Sequence, residues 1–219
     1  MNRFEDYYRY GEKMLVHKGE HIYDSMDEHY AYFLHSGICA LSSIKKNGET
    51  KTHLYFMDQR VIGFAHFTRH LYTQHRDLAK NALMIIAKTD CIVYRLDSEV
   101  LCNLMKTDLL FTNLLFEVLS ENYQNIFLRY LQMEEESVPI RVCMFLMDYA
   151  IEEQGQYILP KFFTQSEIAE YLNIHTVTLS RVMSSLKQLH CVCKQDHHLY
   201  IIQPSMIKAI IHKEVELTY

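Results

Sequence analysis

From residue 12 to residue 97 the apolar positions fall in short runs, several of them alternating with polar residues and set apart by turn-like stretches. The runs cover residues 32–34, 38–44, 52–57, 83–87 and 91–96, with a polar stretch at 73–81. Five of the six glycines (Gly11, Gly19, Gly37, Gly48 and Gly63) lie in this first part, at the spacing of hairpin turns. Lys46-Asn47-Gly48-Glu49 offers the positive-φ residues that a tight hairpin needs. The pattern predicts an antiparallel β-roll or barrel.

After Ser98 the period becomes helical. Phe116, Leu119, Tyr123, Ile126, Tyr130 and Met133 recur at alternating steps of three and four, an a/d seam of nearly three heptads on a helix that begins near Asp108. A second stripe (Phe111, Leu114, Leu115 and Val118) is available for packing on the β-roll. Two stripes suit a helix with its own domain on one side and a partner helix on the other, so a homodimer is expected. Glu134-Glu135-Glu136-Ser137 ends the helix as a hinge. Ser137 is placed to cap the next helix, with Pro139 in its first turn and Gly155 at its end. Residues 157–163 then resemble a short strand.

Thr164-Gln165-Ser166-Glu167 forms a capping box ahead of a new periodic stretch. Counting from Gln165, Ala169 is the small fifth residue, where two helices cross closely. Asn173 is the ninth, a turn position that must tolerate the left-handed conformation. Ile168, Leu172, Ile174, Leu179 and Val182 supply the apolar lock between the helices. This spacing predicts a helix-turn-helix, with residues 175–189 as its second helix. Residues 191–194 and 199–203 flank the polar turn Gln195-Asp196-His197-His198 and predict a β-hairpin wing. The chain is thus α+β, divided into a β-roll (residues 1–107), a dimerisation helix (108–136) and a winged helix-turn-helix (137–219).

Composition adds limits. Of 219 residues, 49% are hydrophobic and 22% charged, which predicts a packed core and excludes wholesale disorder. No apolar run approaches the ~18–20 residues of a membrane span, and residues 1–10 lack a signal-peptide core, so a cytoplasmic protein with no membrane partner is expected. The six scattered cysteines then read as buried thiols. The formal charge of −5 argues against a polyanionic partner only until it is divided. Residues 161–219 carry six Lys and Arg against five Asp and Glu, for a net +1, which leaves −6 on the first 160.

This order of elements resembles the Crp/Fnr family of bacterial transcription regulators across nearly the whole chain. The most specific parts are Thr176-Val177-Thr178-Leu179-Ser180-Arg181 and the β-roll from Phe33-Leu34-His35-Ser36-Gly37 through Asn47-Gly48 to Ile62-Gly63. The second helix is most similar to that of the family's halorespiration regulator, which also has Val where many members have Glu. The resemblance implies a homodimer that binds double-stranded DNA at promoters, with RNA polymerase as a further partner and no catalytic activity. It places Thr176, Val177, Ser180 and Arg181 toward base edges and Thr178 near phosphate, with His175 at the helix start as a further DNA-binding residue. Arg181 suits a guanine or nearby acceptors, and the Val177 methyls suit the thymine methyl. A TTAAT-like inverted repeat follows as the expected site, with half-sites about one helical turn apart.

The family's cyclic-nucleotide members carry a Gly-Glu pair and an Arg-Ser pair. Here Phe64 follows Gly63, and Asn81-Ala82 stands at the Arg-Ser location, so the phosphate's partner is missing. The cysteines are too scattered for an iron–sulfur cluster. A small organic effector remains, between β-roll and helix, with Phe64, Lys80, Asn81, Asn122 and Tyr123 as lining residues by analogy. The alternative is a haem- or metal-dependent sensor or a β-barrel metalloprotein using His53, His66, His70 and His75, which lack a His-x-His or His-Glu-x-x-His arrangement. No cofactor is firmly implied. Met26 and Gln59-Arg60 depart from the family, standing where it usually has turn glycines.

Overall fold

One residue, Gly37, separates β3 (Tyr30–Ser36) from β4 (Ile38–Ile44), and there the chain passes from one sheet to the other. Its φ of 101° is left-handed, and a Cβ would sit 2.5 Å from the Asp90 carbonyl oxygen and 2.8 Å from Cys91 Sγ. Only glycine fits this corner. The computed structural model describes residues 3–24, 29–44, 48, 50–57, 59–64, 83–196 and 198–219. Two units divide the chain, Met1–Phe127 and Leu128–Tyr219.

The first unit begins with a 3-10 helix, Glu5–Tyr10, and continues with β1 (Glu12–Val16) and β2 (His21–Asp24). After β3 and β4 come β5 (Thr50–Met57), β6 (Arg60–Ile62), β7 (Leu83–Ala87) and β8 (Cys91–Asp97). All pairings are antiparallel, in two four-stranded sheets ordered β1-β8-β3-β6 and β2-β7-β4-β5. The expected β-roll is therefore present, and the residue runs read at 38–44 and 83–87 coincide with β4 and β7. In β3 both faces are buried. Tyr32 and Leu34 join the cluster that includes residues of both sheets, while Ala31 and Phe33 join a cluster with the helical elements. That double burial explains why Ala31 to Leu34 is continuously apolar instead of alternating.

α1 (Ser98–Thr107) starts at Asp97, whose carboxylate accepts from the backbone N–H of Glu99 at 2.8 Å. Asp108 closes α1 and opens α2 (Leu109–Glu135): its Oδ1 accepts from the Phe111 N–H at 3.0 Å. Phe111, Leu115 and Val118 are buried with Phe4, Tyr7 and Phe33, and Leu114 packs against them. The second stripe read from the sequence thus faces the β-roll. Tyr7 reinforces this joint, donating from its hydroxyl to Asp108 Oδ2 at 3.1 Å and packing on Phe111.

The second unit contains α3 (Val138–Tyr149), β9 (Ile151–Glu153), β10 (Gln156–Leu159), α4 (Gln165–Leu172) and α5 (Thr176–Gln188). β11 (Val192–Gln195), β12 (His198–Ile201) and α6 (Pro204–Ile211) complete it, with an antiparallel sheet ordered β11-β12-β10-β9. The β11–β12 hairpin is the wing expected from the sequence.

Three expectations need correction here. Gly155 does not end the helix: α3 stops at Tyr149, and Gln154-Gly155 (φ 51° and 78°) form the two-residue turn between β9 and β10. Two successive positive φ values match the twist of the flanking strands, so the glycine serves a hairpin. Ser137 stands at the N-cap, but its side chain makes no capping bond; its carbonyl accepts from the Arg141 N–H at 3.0 Å. The strand expected over 157–163 ends at Leu159, because Pro160 starts a turn closed by the Phe163 N–H. Among the described residues no helix is long and apolar enough to cross a membrane. The six cysteines are free thiols, four of them buried and Cys102 and Cys193 half-buried.

Candidate nucleic-acid interface

α4 starts where the capping box placed it, with Thr164 Oγ1 accepting from the Glu167 N–H at 3.2 Å. Its end is a Schellman turn. Asn173 adopts φ 52°, ψ 50°, its N–H donates to the Glu170 carbonyl at 3.1 Å, and the Ile174 N–H donates to Ala169 at 3.0 Å. Asparagine tolerates this left-handed position better than most residues. Ala169 is buried, as a close helix crossing requires, and Ile168, Leu172, Leu179 and Val182 are buried with it.

α5 begins directly after the turn. His175 is its N-cap, with Nδ1 accepting from the Val177 N–H at 3.2 Å. Leu179, Val182, Met183 and Leu186 form its buried face. On the opposite side His175, Thr176, Val177, Ser180 and Arg181 are exposed, while Thr178 is half-buried. Val177 is 52% exposed, too open for a core residue and free to meet a ligand. The same outer face continues through Ser184 and Gln188, at the three- and four-residue steps that follow from Arg181. Ser184 turns inward to its own helix, donating to the Ser180 carbonyl at 2.8 Å. A second Schellman turn ends α5, with His190 at φ 54° and the Cys191 N–H donating to Leu186 at 2.9 Å.

Behind these helices Phe145, Tyr149, Phe163 and Tyr171 pack ring to ring. The Tyr149 and Tyr171 hydroxyls meet at 2.8 Å. Burial raises the pKa of both phenols, that of Tyr149 strongly, so both are neutral at physiological pH. The arrangement holds a rigid helix with a small polar face outward.

The seam positions on α2 are largely open: Phe116, Tyr123, Ile126, Tyr130 and Met133 are exposed. Leu119 is half-buried and packs partly against the β-roll cluster. An open hollow on this helix is lined by Asn113, Phe116, Glu117, Ser120, Glu121 and Gln124.

Of the effector-lining residues, Phe64 is 3% exposed inside the cluster of Phe33, Val61 and Phe111. Asn122 Oδ1 accepts from Arg60 Nη1 at 3.1 Å, and Tyr123 is 70% exposed, stacked on Phe127. Lys80 and Asn81 lie outside the described residues, as do His66, His70, His75, Met26 and Asn47. His53 Nε2 lies 2.7 Å from Ser43 Oγ. Among the described residues no group of His, Cys, Asp and Glu could hold a metal ion. Gln59 has φ 62°, so it does adopt the conformation of the turn glycine it stands in for.

Reading the sequence missed Arg129 and Arg141, whose guanidinium groups donate to the carbonyls of Tyr171 and Leu172. Arg129 had a signal, as a charged residue beside the apolar seam; Arg141 had none.

Residues 140–210 match the Crp-like helix-turn-helix domain. The whole chain is similar in structure to FixK2 from Bradyrhizobium japonicum, at 16% identity and a TM-score of 0.73, covering 95% of this chain and 99% of that one. A putative transcriptional regulator of the Crp/Fnr family from Eubacterium rectale is 18% identical with a TM-score of 0.66, over 92% and 89% of the two chains. CprK in complex with OCPA is 21% identical with a TM-score of 0.62, over 96% and 94%. No curated protein matches the sequence. The fold is that of the Crp/Fnr regulators, with a helix-turn-helix of the Crp-like kind at its C-terminal end.

Proposed function

We propose that the chain is a transcription regulator of the Crp/Fnr type, without catalytic activity, that binds palindromic double-stranded DNA as a homodimer. The observation that carries this reading is the outer face of α5, where Thr176, Val177, Ser180 and Arg181 stand exposed on a helix locked at both ends. A helix of this kind fits the major groove and presents its N-terminal residues to base edges. Arg181 reads a guanine or nearby acceptors, Thr178 and the His175 end of the helix lie near phosphate, and Val177 meets a thymine methyl. Valine cannot accept from cytosine N4 as a glutamate does, so an A·T pair replaces G·C at that step. On this reading the face works as a CprK-like one, and the preferred site is a TTAAT-like inverted repeat with half-sites about one helical turn apart.

Exposed Phe116, Tyr123, Ile126, Tyr130 and Met133, with half-buried Leu119, form the helix–helix seam of the dimer. A small organic effector controls the regulator from the β-roll side of α2, near Phe64, Asn122 and Tyr123; CprK, similar in fold, is a protein solved in complex with OCPA. At promoters the bound dimer meets RNA polymerase.

Selection from a random-sequence duplex pool tests the reading. Enrichment of TTAAT-like inverted repeats supports it in full. TTGAT-like or TGTGA-like repeats overturn the role of Val177, and no enrichment overturns DNA binding itself.

A further inference from the structure

The final four carbonyls of a helix have no partner within it. In α4 the Schellman turn takes two of them, Ala169 and Glu170. The other two belong to Tyr171 and Leu172, and each is taken by an arginine from a different helix. Arg129, six residues before the end of α2, donates from Nη2 to Tyr171 O at 2.5 Å, and its guanidinium carbon lies 3.8 Å from the centre of the Tyr171 ring. Arg141, in the first turn of α3, donates from Nη1 to Leu172 O at 3.1 Å. Cations suit this end of a helix, where the backbone dipole is negative.

The bend between α2 and α3 lies between these two arginines, at residues 136–137. Glu136 in that bend pairs with Lys213 at 3.0 Å, just beyond α6. Tyr171 and Leu172 are neighbours on one rigid helix end. A change in the bend angle therefore moves the arginines apart relative to their acceptors and breaks at least one charge-assisted bond. Only residues 173–175 separate that helix end from α5, and two backbone hydrogen bonds lock the turn. Wherever the end of α4 is held, the start of α5 is held too.

We propose that Arg129 and Arg141 are positioning residues for DNA recognition: by gripping the end of α4 from both sides of the bend, they set the pose of the recognition helix on the last turns of α2, from Leu128 on. The proposal rests on the DNA-binding reading above. It assigns the grip a specific output, the distance between the two recognition helices of the dimer, and so the tolerated spacing of half-sites.

The test uses the duplex that the wild-type chain enriches from a random pool, rebuilt with its spacer one base pair longer or shorter, together with a single half-site duplex. Wild type should lose at least thirtyfold in affinity when the spacer changes. Arg129→Met should bind the original duplex at least tenfold more weakly, yet differ by less than threefold among the three spacers. Its affinity for the half-site should stay within twofold of wild type. Arg129→Lys, which keeps one donor without the planar stacking, should recover part of the spacer discrimination. Retained discrimination in Arg129→Met overturns the proposal, as does a parallel loss on half-site and full site, which marks a merely structural role. Should Arg129→Met fail to fold, Arg141→Met reads the other arm under the same criteria. A wild type that enriches no duplex overturns the DNA-binding reading first, and this proposal with it.

Discussion

Arg60 on β6 donates from Nη1 to Asn122 Oδ1 on α2 at 3.1 Å, and the same nitrogen pairs with Glu121 at 3.3 Å. Glu121 also holds Arg3 at 3.1 Å, so the N-terminal segment, a strand of the β-roll and the long helix meet at one carboxylate. Shortening Asn122 removes one half-buried bond to a cation. Asn122→Ala should lower the stability of the β-roll unit by about 1 kcal/mol in urea unfolding, less than the ~1.5–3 kcal/mol usual for a bond to a charged group because this one is only part-buried. An unchanged midpoint would mean that the ion pairs hold the joint without the amide.

The seam makes a sharper prediction. Ile126 is 45% exposed in the single chain, in a stripe with Tyr123, Tyr130 and Met133. Ile126→Arg places a charge in the proposed helix–helix seam. Sedimentation should show a monomer, and affinity for the palindromic duplex should fall by a factor of about 100. A dimer that survives would place the subunit interface elsewhere.

Alkaline pH should unfold the second unit through a named group. Burial, reinforced by nearby Cys191, pushes the Cys143 pKa up from its ordinary 9.0 to about 12. A group raised in the folded state lends its stability fully below the unfolded value and loses it as pH climbs toward the folded one. Between pH 9 and 12 this thiol alone costs about 1.4 kcal/mol per pH unit, or ~3 kcal/mol by pH 11. Urea titrations at pH 8 and pH 11 should show Cys143→Val losing less stability between them than wild type. Part of the loss should remain, since burial raises Tyr149 and Tyr171 as well.

His190 occupies a left-handed position at the end of α5, exposed to solvent. A side chain there costs about 1–2 kcal/mol, against roughly 0.5–1 kcal/mol for the extra freedom of an unfolded glycine. His190→Gly should therefore stabilise the domain by about 0.5–1 kcal/mol, visible as a higher Tm. A lower Tm would show that the imidazole contributes a contact outweighing the strain.

Local signals carried far in this chain. Thr164, Glu167, Ala169 and Asn173 are each required by near-neighbour geometry, and α4, its turn and α5 fall where they placed them. The strands were readable wherever turn glycines bounded apolar runs, as at Gly37. What escaped reading depends on distant partners. Residues 1–10 lack an apolar run in the sequence, yet Phe4, Tyr7 and Tyr8 are core residues because β3 and α2 offer them a surface. Gly155 suits a helix end and a hairpin turn equally until β9 is seen to pair with β10. Arg129 and Arg141 were invisible as a pair because their acceptors are backbone carbonyls 42 and 31 residues away, and any residue type supplies a carbonyl.

DNA binding is best measured by titrating the chain onto a fluorescent duplex carrying the inverted repeat TTAAT–ATTAA, with half-site centres one helical turn apart. The proposed dimer on a palindrome predicts saturation at two chains per duplex and a moderate decrease in affinity with salt, given the net +1 of residues 161–219. It also predicts at least a hundredfold preference over a scrambled duplex, lost in Arg181→Ala. Equal binding to both duplexes, or an Arg181→Ala protein that binds like wild type, would contradict it.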